Sequence, residues 1–340
     1  MSGVSFVVIG RNEGERLKLS LRSLLKVSKT VIYVDSGSAD GSREFAISIG
    51  VEVIELDISS GFTMSRARNA GLRRVLEIAP ESELIHFVDG DCELIDEWLP
   101  KAVSFLSSHP EVAAVCGRRR ERHPEASTYN LLCEIEWNTP VGEALSSGGD
   151  VLMRVPPLVS VGGFNDNLIA FEEPDLCRRL RHKGWKIWRL DADMTKHDAN
   201  LLHFSQWWKR NERAGYGAMV ITDICLQDND VHSVGIFERQ VKSSRRWVFA
   251  LSIMLLLGVP IAAITTGRIG ALISTACVVI LILAQSLRIA WISRQRAPGI
   301  RAALLYGFFT MIAKLPQIVG QWRYLTDRLK GSKAVIIEYK

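Results

Sequence analysis

The sequence has no clustered cysteines. Its six, Cys92, Cys116, Cys133, Cys177, Cys225 and Cys277, are scattered, with no Cys-Xaa-Xaa-Cys pair and no metal-like spacing. They read as reduced thiols of a cytosolic compartment rather than a disulfide framework. The opening MSGVSFVVIG has neither a basic n-region nor a long apolar core, so no signal peptide is expected. There is no internal repeat and no low-complexity tract. A net charge of +5 over 340 residues is modest and does not point to nucleic acid. The first apolar run is followed by Gly10-Arg11-Asn12-Glu13-Gly14, not by Gly-Xaa-Gly-Xaa-Xaa-Gly, which argues against a dinucleotide oxidoreductase.

What is present begins with alternation. Val4–Ile9, Val31–Val34, Val51–Leu56, Leu84–Val88 and Val112–Val115 read as short buried strands. Between them, Asn12–Val27 carries Leu17, Leu21, Leu24 and Leu25 at helical spacing. Phe62–Ile78 does the same, with Ala67, Ala70, Leu72, Val75 and Leu76 on its inner side. The loop DSGSADGS offers Asp40 or Ser38 as a cap for the next helix. Strands alternating with helices predict an α/β fold with a mainly parallel sheet. Ligands of such sheets sit at the carboxyl ends of the strands, where Asp35 and Asp89 fall. Further on, RERHPEAST reads as a loop, Thr128–Trp137 and Glu172–His182 as helices, and SSGGDVLMR as a loop entering a strand. Trp185–Leu190 reads as a strand, and Gln206–Leu226 as a basic, aromatic-rich helix.

From Val248 the chain runs 19 residues without a charge to Thr266, and from Ile269 another 19 to Leu287. About 20 apolar residues span a bilayer as a helix, and the connector is too short for a folded loop, so a transmembrane helical hairpin is predicted. Arg239, Lys242, Arg245 and Arg246 precede it; Arg288, Arg294, Arg296 and Arg301 follow; the tip holds only Arg268. The positive-inside rule then places both ends in the cytoplasm. Ala302–Val319, with Lys314 and Pro316, reads as an interfacial or re-entrant helix. The resulting division is a catalytic domain over 1–225, a basic juxtamembrane linker over 226–247, the hairpin over 248–287, and a basic loop, helix and tail over 288–340.

The chemistry concentrates in HFVDGDCEL. Asp89 and Asp91 bracket one glycine at a strand end. Two such carboxylates can turn toward one hard cation, Mg²⁺ or Mn²⁺, which keeps room for substrate phosphates. Taken alone, Asp-Gly is equally a turn.

An ordered set of motifs resembles the family 2 glycosyltransferases, the inverting, nucleotide-sugar-dependent transferases of the GT-A fold, over roughly residues 4–215. VVIGRNEGERLKLSLRSLL resembles the family's opening strand, Asn-Glu turn and helix. VIYVDSGSADGS resembles the second strand, FTMSRARNAGLRRV the helix with a basic residue, and HFVDGDCEL the metal-binding motif. SSGGDVLMR resembles the acceptor-side loop, and VGGFNDNLIAFEEPDLCRRLRHKGWKI the segment carrying the catalytic base.

The resemblance implies roles. Gly10, Arg11, Asn12, Glu13, Asp35, Arg68, Asn69 and Asp89 would line the nucleotide pocket; Arg66, Arg68 and Asn69 cannot all face inward from one helix, and the resemblance selects Arg68 with Asn69, an exposed basic face being the other reading. Asp91, with Asp89 and His197 (or His203), would hold Mg²⁺ or Mn²⁺ against the diphosphate. Gly148, Gly149 and Asp150 would face the sugar or acceptor. The base would be Glu173, where the family often has aspartate, so Glu172 and Asp175 stay open; these acids equally suit a helix start. Lys209, Arg210 and Arg213 would bind diphosphate or line a basic-aromatic belt at the membrane. Gln206-Trp207-Trp208-Lys209-Arg210 departs from the family's processive pattern, which argues against a polymer synthase. The expected protein is a multi-pass enzyme of the inner (cytoplasmic) membrane with a cytosolic catalytic domain. It would move one sugar from a nucleotide-sugar to a lipid-linked or saccharide acceptor in envelope or exopolysaccharide synthesis. Direct transfer to polyprenyl phosphate and a non-catalytic membrane scaffold are the competing readings.

Overall fold

The computed structural model describes residues 3–59 and 61–331. Its chain forms two compact units. Among the described residues, the first takes the chain up to His123 and again over Glu136–Asn200; the second takes Pro124–Ile135 and residues 201–331.

The first unit is built on β1 (Val4–Gly10), α1 (Glu15–Leu25), β2 (Val31–Asp35), α2 (Ser42–Ser48), β3 (Glu52–Glu55), α3 (Met64–Ile78), β4 (Leu84–Asp89), β5 (Cys92–Leu94), α4 (Trp98–Ser108) and β6 (Val112–Glu121). After α5 (Thr128–Glu136), which belongs almost wholly to the second unit, come β7 (Gly142–Glu143), β8 (Val151–Arg154), α6 (Val155–Ser160), α7 (Glu172–His182) and β9 (Lys186–His197). The sheet runs β3-β2-β1-β4-β8-β6-β9-β5, with β7 added on β9. β1 to β4 are mutually parallel, as are β6 and β9, while β8, β5 and β7 pair antiparallel. The sheet is therefore mixed but mainly parallel, as predicted.

The apolar run of β1, interrupted only by the buried Ser5, reflects burial on both sheet faces. Successive side chains point to opposite faces. Phe6 and Val8 pack with Leu17, Leu21 and Trp98 from α1 and α4, while Val7 and Ile9 pack with Ala67 and Val75 of α3 and Leu180 of α7. Burying one such side chain stabilises the fold by about 1.5–3 kcal/mol. Gly71 brings α3 against β1: a Cβ there would lie 2.2 Å from Val7 Cγ1.

The structure lengthens two predicted strands. β6 continues past Val115 to Glu121, taking the start of the expected RERHPEAST loop, and β9 continues past Leu190 to His197. Each supplies the other's hydrogen bonds across register shifts, so polar residues extend the ladder. β5 and α4 were not predicted, and Leu76, expected inside, is exposed. Asp40 accepts from the Ser42 N–H (3.1 Å) at the start of α2, whereas Ser38 accepts from the Asn12 N–H (2.9 Å).

The second unit holds α8 (Phe204–Gln227), α9 (Val231–Ile253), a π-helical turn (Met254–Gly258), α10 (Val259–Ser293), α11 (Ile300–Ile312) and α12 (Lys314–Lys330). α10 breaks at Gly267 (φ 69°, ψ −159°). A Cβ on Gly258 would lie 3.7 Å from Ser274 Oγ, so the chain doubles back as the predicted hairpin. Helix continues through the segment expected as a linker from Val231 onward. The runs Ser233–Ser293 (hydropathy 2.4, none of the apolar window buried) and Ile300–Lys330 (1.4, 33% buried) are long and apolar enough to cross a membrane. The expected tail over 332–340 lies outside the described residues.

Candidate active site

Parallel register sets the ends of β1, β2 and β4 side by side: Gly10 pairs with Asp35, and Ile9 with Asp89. Gly90 follows because its N–H bonds Ile9 O (2.8 Å), and a Cβ would stand 3.1 Å from that oxygen. The glycine between the two aspartates thus answers to a close backbone approach.

Asp89 is clamped by two guanidiniums. Arg68 Nη2 donates to its Oδ1 (2.9 Å) and Arg119 Nη2 to its Oδ2 (3.0 Å). Burial works to raise its pKa, but these two cations bring it below the ordinary carboxylate value. Asp150 lies beneath, fully buried; it accepts from Asp89 N–H (2.9 Å), Arg119 Nε (3.0 Å) and Thr195 Oγ1 (2.6 Å). Expected at the sugar side, Asp150 instead braces Asp89. Gly149 packs over the same carboxylate: a Cβ would lie 2.7 Å from both Arg68 Nη2 and Asp89 Oδ2. Gly148 faces open space.

Asp91 is turned toward β9. The β5–β9 pairing aligns Cys92 with His197 and leaves His197 Nε2 3.3 Å from Asp91 Oδ2. This oxygen and nitrogen suit a divalent cation of intermediate hardness. Cys92 lies within the same cluster, but burial pushes its thiol pKa well up, which disfavours the ligating thiolate. His203 is exposed and caps α8 in the other unit.

Arg68 also reaches the acidic start of α7. Its Nη1 lies 3.0 Å from Glu172 Oε1 and 3.3 Å from Glu173 Oε1. Burial first, then Glu172's charge, push the Glu173 carboxyl up to about 7, against the lowering pull of Arg68. Asp175 pairs with Arg178 (3.1 Å) and Arg179 (2.9 Å). Arg68 is buried, whereas Arg66 turns outward to the carbonyls of Gly61 and Asp57. Asn69 holds the segment before α7: its Nδ2 donates to Phe164 O and Asp166 Oδ1 (2.7 Å each), and its Oδ1 accepts from Phe164 N–H (2.9 Å).

At the neighbouring strand ends, Asp35 accepts from Tyr33 Oη (2.8 Å) and from Gly37 and Ser38 N–H (3.0 and 2.9 Å). Asn12, at φ 56°, accepts from Ala39 N–H (2.8 Å). Arg11 lies over the Phe62 ring (4.9 Å), and Glu13 pairs with Arg16 (2.8 Å) beyond Gly10. Lys209, Arg210 and Arg213 lie on α8 of the other unit.

Residues 5–145 match the family model described as glycosyl transferase family 2. These residues form a family 2 glycosyltransferase domain.

This glycosyltransferase is 25% identical over 268 residues to glycosyltransferase AglE of Haloferax volcanii, covering 75% of this chain and 80% of that one. It is 24% identical over 185 residues to the succinoglycan biosynthesis protein ExoA of Rhizobium meliloti, covering 50% and 54%. Its fold is similar to the mannosyltransferase PcManGT of Pyrobaculum calidifontis, solved with GDP-Man and Mn²⁺ (TM-score 0.58, 16% identity, 96% and 87% covered). The enzyme therefore acts in glycan biosynthesis. Arg119, Thr195 and Glu121 escaped the sequence reading. Arg119 sits in an Arg-Arg-Arg run whose strand alternation, had β6 been drawn to its full length, marks it as pointing opposite to its two neighbours.

Proposed function

We propose that this glycosyltransferase moves one sugar from a nucleotide-sugar to a lipid-linked acceptor, with inversion, using a divalent cation. The observation that carries the reading is the arrangement around Arg68. One guanidinium joins Asp89, next to the Asp91–His197 pair, to Glu172 and Glu173 across the strand ends. Asp91 and His197 would hold Mg²⁺ or Mn²⁺, which supplies charge neutralisation for the departing diphosphate. The Mn²⁺ in the PcManGT structure supports that choice.

In this reading Asp35, with Asn12, orders the loop after β2 against the nucleotide. Asp89, fixed by Arg68, Arg119 and Asp150, orients ribose or a water at the metal side. Glu173 accepts the proton of the incoming acceptor hydroxyl, on the face opposite the leaving group, which inverts the anomeric centre. A Glu173 carboxyl poised near neutrality suits a base. Glu172 acts through Arg68. The hairpin sits in the cytoplasmic membrane with both ends inside, and this favours an acceptor carried by lipid.

Incubating the enzyme with radiolabelled UDP-, GDP- and dTDP-sugars, with and without Mn²⁺, tests this. Polyprenyl phosphate and polyprenyl-diphosphate oligosaccharide serve as acceptors. Mn²⁺-dependent label on the diphosphate lipid is expected; label on polyprenyl phosphate alone favours direct charging, and metal-independent transfer overturns the cation role.

A further inference from the structure

His197 is approached on its second ring nitrogen by a carboxylate with no part in the transfer just described. Glu121 ends β6 and pairs in register with His197 of β9. Its side chain has no exposed surface, and its Oε2 lies 3.6 Å from His197 Nδ1. Two backbone groups fix it: His123 N–H donates to Oε1 and Ala199 N–H to Oε2, each at 3.2 Å. The strand end itself therefore holds Glu121 still. On another side, the Trp137 ring meets the imidazole edge to face, 4.5 Å between centroids. The remaining ring nitrogen, Nε2, is the one beside Asp91.

We propose that Glu121 is a positioning residue for the cation site: it accepts the Nδ1–H of His197, fixes that tautomer, and so aims the Nε2 lone pair at an ion shared with Asp91. Trp137 limits rotation of the ring. The inference rests on the reading of Asp91 and His197 as metal ligands. A ligating histidine almost always donates its other N–H to a carboxylate, carbonyl or water, which orients the ring and raises its basicity. The 3.6 Å separation exceeds a hydrogen bond, and an approach of about half an ångström closes it.

The test is direct Mn²⁺ binding to the full-length enzyme in detergent, read from the free-ion electron paramagnetic resonance signal. Wild type, Glu121→Gln, Glu121→Ala and His197→Ala are compared, with thermal melting recorded alongside. Glu121→Ala and Glu121→Gln are expected to weaken Mn²⁺ binding about 10–100-fold, with turnover recovering at saturating Mn²⁺. A merely structural role would lower the melting temperature without moving the affinity of the folded fraction, and excess Mn²⁺ would not rescue turnover. If Glu121→Ala does not fold, Glu121→Gln, which keeps the shape, decides. Wild-type affinity in Glu121→Gln with affinity lost in His197→Ala overturns the positioning role alone. Undiminished binding in His197→Ala, or none in the wild type, overturns the ligand reading and this inference with it.

Discussion

At the scale of single residues, Glu173 has the clearest consequence. Its carboxyl is pushed up to about 7 by burial and by Glu172. If it is the base, kcat/KM rises with pH through about neutrality. Glu172→Gln removes a charge that raises this pKa and releases Arg68 to Glu173, so the rising limb should move to lower pH. A pH–rate profile of that variant checks the sign. Stability runs the other way. The fold favours protonated Glu173, so its contribution is complete below the unfolded value near 4.5 and is lost as pH rises through about 7. Glu173→Gln should flatten that loss in pH-dependent melting while cutting turnover about 10²–10⁴-fold. Asp91→Ala should abolish both turnover and Mn²⁺ binding; full retention of both would dismiss the metal assignment. The identities of these acids were legible from sequence, because their order along the chain carries the family pattern. Their partners were not: nothing local in Arg118-Arg119-Arg120 says which arginine meets Asp89.

At the scale of elements, glycine contacts decide how closely the site is drawn together. Gly71→Ala places a Cβ 2.2 Å from Val7 Cγ1, so α3 must move off β1. Overpacking of this kind costs about 1–3 kcal/mol, and because α3 carries Arg68, both melting temperature and turnover should fall. Gly149→Ala presses instead on Asp89 and Arg68; turnover should drop with a smaller loss of melting temperature, measured on the same samples. Sequence periodicity located α1, α3 and α7 well, because an apolar stripe is a local signal. β9 was cut short at Leu190 for the converse reason. Asp191, Asp193 and Lys196 look like surface loop, and only pairing with β6 and β5 keeps them in a strand. β5, with three residues, has no period to detect.

At the scale of the whole molecule, the two apolar runs bear on where the enzyme works. If the hairpin crosses the membrane with both ends cytoplasmic, its tip lies outside. Arg268→Cys in intact cells should then react with a membrane-impermeant thiol reagent, whereas the parent chain should not. Absence of labelling before lysis, with labelling after it, would refute that orientation. The length and lack of charge of these runs were readable because crossing a bilayer is set by composition. The break itself falls beside the expected tip at Arg268, where Gly267 adopts a positive φ that other residues resist.

By itself the sequence determined the alternation of strand and helix, the carboxylates at the strand ends and the apolar hairpin. Each follows from local period or composition. Only the tertiary structure decided that Arg68 joins Asp89 to Glu172 and Glu173, that Asp150 braces Asp89 from below, and that Glu121 stands behind His197. Those pairings depend on sheet register and burial between segments far apart in the chain, and a linear pattern does not encode which distant residues will share one low-dielectric site.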